Sequence, residues 1–423
     1  MRVKALAARD LVFVLVLLVG LAGYVRTCVD LDGPPEEDAA MLLRYSKHLA
    51  EGHGIVWNQG EPPVDGATDF LFMAAVAAAH GAGASLEGAA HAIGLTAHAM
   101  TSVLLFLSIR KLFGGGRLLA MIPAAFFAVG PGLRHLAAGY GTPFFTLTVA
   151  ASWSIAVLLI QAAPDRLKQA SLAFALSALV MGLARPEGAF LGGFFLVGVL
   201  IVRNGDGPRP IVASFLGVFL TAGLAYFLWR WHYFGYPLPN PFYKKGLLHP
   251  HSLYQSWQDL WALGMPFFLG LPLGLLLRPA RRFSAAVLLA LLAFVGLWVL
   301  ISDETNYVMR FRAPLLPVVL TSWVPAWHAL VERARMAKRA PAWVAATVAL
   351  LLTAALAGWQ HARYHYVAPR HRGLYDAAVM LREYAARDFT LATTEAGLLP
   401  LYSTGNRWMP GASTTASSPT TGR

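Results

Sequence analysis

The chain has 423 residues, 57% of them hydrophobic and 13% charged, with a formal net charge of +12. Soluble domains carry roughly 25% charged residues, so an ordinary soluble fold is excluded. The surplus of Lys and Arg falls in short loops between long apolar runs, where orientation rules place positive charge, and this sets aside a nucleic-acid partner.

The apolar runs recur from Leu11 to Trp359, each near the ~20 residues that cross a bilayer as a helix. They predict an all-α polytopic membrane protein, since helices are the spanning form such runs allow. Arg2, Lys4 and Arg9 precede the first run, Leu11–Val25, so the N-terminus is expected inside. No small-residue cleavage site follows, which predicts an uncleaved first span. A polar stretch then runs from Glu36 to Asp69 and is read as a loop on the far side. Phe70–Ala82 is too short to cross and is expected to be re-entrant or interfacial. With that segment skipped, the next crossing is Ala89–Leu107, ending at Arg110 and Lys111. Arg166 and Lys168, Arg203 and Arg209, Arg278 with Arg281 and Arg282, and the cluster Arg333 to Arg339 then all lie inside. The count is about eleven spans, with the C-terminal segment outside.

This topology gathers nearly all acids capable of chemistry on the outer face. Glu37 and Asp38 lie just past the first span. A general base needs a carboxylate at a cavity wall, where desolvation tunes its pKa. The alternative is a helix start, because Pro34-Pro35 followed by acids suits a helix N-terminus. Arg185-Pro186-Glu187-Gly188 joins two spans. Its Arg is either half of an ion pair with Glu187 or a bidentate phosphate grip. Tyr236 to Lys245 carries Pro237, Pro239 and Pro241 with Asn240, Tyr243 and Lys244. It reads as a rigid binding platform or as an interfacial aromatic belt with snorkelling lysines. Asp303, Arg310 and Arg312 stand at another span entrance. Positive charge there runs against the orientation rule and calls for an anionic ligand or lipid headgroups. The histidines, His48, His53, His80, His91, His98 and His135 among them, show no metal-ligand spacing. No phosphate-cradling glycine loop is present. The single cysteine, Cys28, excludes an internal disulfide.

Taken together and in order, these pieces resemble the GT-C glycosyltransferases, in particular the mycobacterial terminal β-arabinofuranosyltransferase family and its bacterial relatives. The resemblance rests on Glu37-Asp38 with Arg44-Tyr45, Gly52-His53-Gly54, Asp65 to Phe72, Arg185-Pro186-Glu187-Gly188, Tyr233 to Asn240, and Asp303 with Arg310-Phe311, Pro314 and Pro317. It covers residues 10–405. It implies transfer of a sugar from a polyprenyl-phosphate donor to a glycan or lipid acceptor outside a bacterial cytoplasmic membrane. The base or sugar-positioning role falls on Glu37 or Asp38. Donor and phosphate contacts fall on Arg44, Arg185, Glu187, Asn240, Tyr243, Lys244, Asp303, Arg310 and Arg312. Membrane lipids are further partners, and a divalent metal is optional. Two departures stand out. Glu37 replaces the family's first Asp, and Gly139-Tyr140-Gly141-Thr142 lacks the acid of the family's GxET.

The implied organisation is a GT-C-like catalytic domain over 1–360, with its first outside loop at 27–88. An extracytoplasmic α/β segment is expected to start over 361–405, with Tyr375–Arg387 helical and Phe389–Gly397 a strand and turn. Residues 406–423 are expected to be a disordered, frameshifted tail, since a one-base shift in a permitted back-translation restores the family's continuation. The competing readings are a transporter or flippase of lipid-linked sugars, and an inactive truncated homologue.

Overall fold

The computed structural model describes residues 8–244, 250–300, 306–334, 342–364, 372–387, 390–393, 396–403 and 407–410. Asp303, Lys245 and residues 411–423 lie outside the described residues.

The first span is α1 (Ala8–Cys28), apolar between Asp10 near its start and Arg26 in its last turn. Of the stretch expected to be a loop, residues 51–69 are free of helix and strand, but the part before them is helical. It folds into α2 (Glu37–Ala50), which starts after Pro35 with two acids in its first turn, where the helix dipole favours negative charge. Ala39, Leu42, Leu43 and Ser46 give α2 a buried face, which propensity in a polar stretch does not reveal. Helix α3 (Phe70–Gly81) follows, 12 residues long and too short to cross.

The bundle then continues through α4 (Leu86–Lys111), α5 (Arg117–Ala128), α6 (Gly132–Ala137), α7 (Thr142–Ile160), α8 (Leu167–Ala184) and α9 (Pro186–Arg203). Helices α10 (Pro208–Val218) and α11 (Leu224–Phe234) join through a π-turn at Phe219–Gly223 into one 27-residue span. Next come α12 (Asn240–Lys244), α13 (Pro250–Gly264), α14 (Gly270–Leu276), α15 (Arg281–Leu297), α16 (Leu316–Ser322), α17 (Val324–Ala334) and α18 (Ala342–Tyr364). Eight helices among the described residues are long and apolar enough to cross a membrane. A ninth is added if the pair bent by 107° at His251–Gly264 and Phe267–Leu276 is one span. That is eight or nine among the described residues against about eleven expected; α15, of 17 residues, and α18, of 23, are not among them.

Helix α7 packs against α4, α8 and α9 and buries Phe145, Val149, Trp153 and Val157. Side-chain packing and interhelical hydrogen bonds hold such bundles where lipid is as apolar as the helices. The Trp153 indole N–H, for example, donates to Thr321 Oγ1 at 2.9 Å. At one end, buried Asp10 gathers Arg117 at 2.6 Å, Lys111 at 3.1 Å and Arg110 at 3.3 Å. This pins the start of α1 to the end of α4 and the start of α5. Helix α2 follows the far end of α1, so the acids of α2 lie at the opposite end from Asp10.

After α18 come α19 (Arg372–Leu381), a 3-10 segment Arg382–Arg387, and strand β1 (Thr390–Thr393). Strand β2 (Arg407–Pro410), inside the segment expected to be disordered, pairs parallel with β1. Between them, α20 (Leu398–Tyr402) buries Leu398 and Leu401 against α2 and α3.

Gly188 shows why the Arg185–Gly188 corner is tight. A Cβ there would overlap the Met181 carbonyl at the end of α8. Gly188→Ala is expected to destabilise the protein by about 1–3 kcal/mol through overpacking, read as a lowered unfolding temperature in detergent. Wild-type stability in that variant would refute the packing argument.

Candidate active site

At the end of the bundle opposite Asp10, a cavity of about 300 Å³ opens between α2, the start of α3, the α8–α9 corner and the segment before α16. Three carboxylates and two guanidiniums line it: Asp38, Asp69, Glu187, Arg185 and Arg310. Tyr140, Phe190, Phe242, Trp298 and Phe311 supply aromatic walls, with Pro239 beside them.

The charges are ordered by contact. Arg310 pairs directly with Asp38. Its guanidinium lies over the Tyr140 ring at 4.4 Å and near Phe311 at 5.0 Å. Arg185 is the extended residue between α8 and α9, as a residue before proline favours. Its Nε–H donates to Glu187 Oε1 at 2.7 Å and sits 3.2 Å from Asp69 Oδ1. The Phe311 ring also lies 5.6 Å from the Arg185 guanidinium, so both cations are near one phenyl ring. Trp298 stacks on Phe311, with centroids 4.4 Å apart. Gly139 has a left-handed φ of 80°, which glycine adopts without strain, and packs against the start of α2, where an added Cβ would lie 3.2 Å from the Pro35 Cβ.

Burial pushes the Asp69 carboxyl above its ordinary value, against Arg185 and Arg310 and helped by Glu187 and Asp38. Burial also works against the Arg185 charge, but Asp69 and Glu187 outweigh it and hold the guanidinium above its ordinary value. The two directions have different sources: burial dominates at Asp69, whereas neighbouring acids dominate at Arg185. Burial raises the Tyr140 phenol as well.

The structure separates the sequence candidates. Asp38, Arg185, Glu187 and Arg310 come together around the cavity. Glu37 does not: its carboxylate accepts the backbone N–H groups of Gly397 and Leu398 at the start of α20. Neighbouring helix positions differ by about 100° around the axis, so Glu37 and Asp38 cannot both face the cavity. Arg44 is likewise diverted. It donates to Trp57 O at 2.9 Å, Asn58 Oδ1 at 3.2 Å and Pro400 O at 2.5 Å, tying α2 to its own loop and to α20. Burial lowers its pKa to about 10. Arg312 is fully buried on Ser256 Oγ at 2.9 Å and 3.8 Å from Asp259, over the Trp298 ring. It braces α13 against the turn before α16 and stands outside the cavity lining. Asn240 uses its backbone N–H on Asp65 O at 2.9 Å, and the exposed Tyr243 hydroxyl accepts from the Leu238 N–H; neither lines the cavity. The Lys244 side chain, like Asp303, lies outside the described residues.

Three further residues gain their place at the site from the tertiary structure. Asp69 lines the cavity above Gly141, where an added Cβ would lie 2.9 Å from Asp69 Oδ2. The wall at the Gly139–Thr142 segment, which lacks the family's acid, is therefore faced by the Asp69 carboxylate. Asp65 receives a two-point contact from Arg230, at 2.7 Å from Nε and 2.5 Å from Nη2. That pair, with the Asn240 contact, seats Pro239 and Phe242 at the cavity. Burial raises the Asp65 carboxyl against the pull of Arg230. Arg230 carried a readable signal, since an ionisable side chain inside an apolar span needs a partner. Among the described residues, no group of three or more His, Cys, Asp or Glu side chains is gathered as a metal site would need.

No known family profile matches the chain. It is 29% identical over 266 residues to the terminal beta-(1->2)-arabinofuranosyltransferase of Mycobacterium tuberculosis, a match spanning 58% of this chain and 41% of that protein. In structure it is similar to ArnT from Cupriavidus metallidurans in the apo state, with a TM-score of 0.59 at 15% identity over 97% of this chain and 87% of ArnT. ArnT bound to undecaprenyl phosphate gives a TM-score of 0.52 at 14% identity, over 95% and 76% of the two chains. The Archaeoglobus fulgidus oligosaccharyltransferase gives 0.56 at 12% identity, over 95% of this chain and 64% of that one. The chain spans less than half the length of the mycobacterial relative. These likenesses show the fold of the GT-C membrane glycosyltransferases.

The Asp65–Arg230 pair is testable as a structural clamp. Asp65→Ala leaves Arg230 buried without its carboxylate and is expected to cost about 3–5 kcal/mol. Replacing both residues by apolar ones is expected to restore most of that loss. Unfolding in detergent checks this, and a single variant as stable as the wild type would remove the clamp from the account.

Proposed function

We propose that this GT-C-fold chain is a membrane glycosyltransferase. It moves a hexosyl or pentosyl group from a polyprenyl-phosphate donor to a cell-envelope glycan or lipid acceptor, on the outer face of a bacterial cytoplasmic membrane. The observation that carries this reading is one cavity holding a carboxylate, Asp38, and two guanidiniums, Arg185 and Arg310, at one end of an apolar bundle. The carrier class is drawn from ArnT, which has been solved with undecaprenyl phosphate bound.

The chemistry follows from the side chains. An acceptor hydroxyl attacks the anomeric carbon of the donor sugar and a new C–O bond forms. The bond from that carbon to the phosphate oxygen breaks, and its electron pair leaves with the phosphate. Asp38 takes the hydroxyl proton. Arg185 and Arg310 stabilise the departing phosphate, since charge-assisted donors pre-placed at developing negative charge lower the barrier. Guanidinium suits this role because its planar fork matches phosphate oxygens. The cavity, about 300 Å³, is at the small end of ligand sites and suits one sugar residue with its phosphate. Tyr140, Trp298 and Phe242 offer ring faces to that sugar. Asp69 and Glu187 keep Arg185 in place and offer acceptors for sugar hydroxyls.

The test is transfer from labelled polyprenyl-phosphate sugars by purified protein. Asp38→Asn is expected to lose at least about 10²-fold in rate, the scale of a lost general base. Glu37→Gln is expected to stay within about tenfold of the wild type, because its carboxylate serves α20 rather than substrate. Equal losses in the two variants would overturn the assignment to Asp38, and no transfer by the wild type from any such donor would sink the reading itself.

A further inference from the structure

Arg310 reaches Asp38 from a backbone that ordinary residues avoid. Val308 and Met309, directly before it, have φ of 53° and 58°. A β-branched residue in this left-handed region is a genuine outlier, and such strain persists only where the surroundings over-determine it. The surroundings here are specific. His135 in α6 is fully buried, and its Nε2 lies 3.0 Å from the Val308 carbonyl oxygen. A carbonyl only accepts, so Nε2 carries the proton and the imidazole is a donor to the strained residue. The other end of the turn is held by Asn306. Its Oδ1 accepts the Phe311 N–H at 3.0 Å, and its Nδ2 donates to Asp259 Oδ2 at 2.6 Å. The Arg312 N–H closes the turn on Met309 O at 3.0 Å. Between these anchors the Arg310 side chain is delivered over Tyr140 onto Asp38. Two left-handed residues in sequence bend the chain sharply, so the direction of Arg310 depends on their staying left-handed.

We infer that His135 is a positioning residue. Its Nε2–H···O=C bond to Val308 holds the left-handed Val308–Met309 turn that presents Arg310 to Asp38 and to the donor phosphate. The phosphate part rests on the glycosyltransferase reading above; the turn itself does not.

The experiment is a double-mutant cycle between His135→Ala and Val308→Gly. Glycine adopts positive φ without strain, so with Gly at 308 the turn no longer needs the histidine. In the natural background, His135→Ala is expected to lower kcat by about tenfold with a smaller effect on KM, through misplacement of Arg310. In the Val308→Gly background the same change is expected to cost less than about threefold. His135→Gln, whose amide can still donate, is expected to recover most of the loss. Amide hydrogen exchange over residues 309–312 reads the turn without any ligand: it is expected to rise in His135→Ala and to stay low when Val308→Gly is added. Thermal stabilisation by undecaprenyl phosphate reports the anion contact, and His135→Ala is expected to weaken it. If His135→Ala does not accumulate, His135→Asn, too short to reach Val308, takes its place. Equal losses in both backgrounds, or His135→Gln as impaired as His135→Ala, would overturn the inference. Wild-type protein without transfer but with the predicted exchange pattern would reject the enzymatic reading while keeping the turn.

Discussion

The ion pair between Asp38 and Arg310 is the contact on which the site depends. It joins the first turn of α2 to the turn before α16, segments far apart in the chain. Arg310 is buried and needs a partner, because an unpaired buried ion carries a large desolvation penalty, and Asp38, 34% exposed at the cavity wall, supplies it. Each therefore fixes the other, and the cavity forms where they meet. Asp69 and Glu187 do the same for Arg185. Both guanidiniums lie near the Phe311 ring, so the cations share an aromatic wall. A chain with so few charged residues has placed five of them around one small cavity.

The remaining buried charges are structural and explain why the cavity keeps its shape. Asp65 with Arg230 seats the proline-rich segment, and Arg312 with Ser256 and Asp259 braces the turn behind Trp298. Asp10 collects three cations at the opposite end. Arg44 and Glu37 bind the backbone of the C-terminal segment, to Pro400 and to Gly397 and Leu398. Helix α2 thus turns one carboxylate to the cavity and uses Glu37 and Arg44 to hold the segment packed behind it. The C-terminal piece buttresses the wall that carries Asp38, which couples its placement to the site although it adds no residue to the cavity lining.

Strain and support meet at Val308. The turn is costly by itself and is surrounded by donors and acceptors that make its unfavourable backbone the best available arrangement. His135, Asn306 and Asp259 come from three different parts of the chain. Such convergence leaves the Arg310 side chain, two residues on, a fixed direction toward Asp38.

Much of the architecture was legible in the sequence, because it depends on local quantities. Apolar runs of bilayer length become helices wherever they sit, and Phe70–Gly81 forms a helix too short to cross. The charged motifs were also visible, and Asp38, Arg185, Glu187 and Arg310 do line one cavity. The sequence could not choose between neighbours. Glu37 and Asp38 are chemically alike and adjacent, and only the direction of each side chain around α2 sends one to the cavity and the other to α20. Arg310 and Arg312 differ by two positions on a tight turn, and that turn points one at Asp38 and buries the other on Ser256. Asp69 lay inside a quoted motif and His135 among the histidines, but their partners are distant in the chain, so the sequence did not show what each contacts. Sequence determined the kinds of residue and the order of the helices, since those follow from hydrophobic length and charge. Tertiary structure alone decided which charge meets which, since burial leaves each ion only the partner that packing brings within reach.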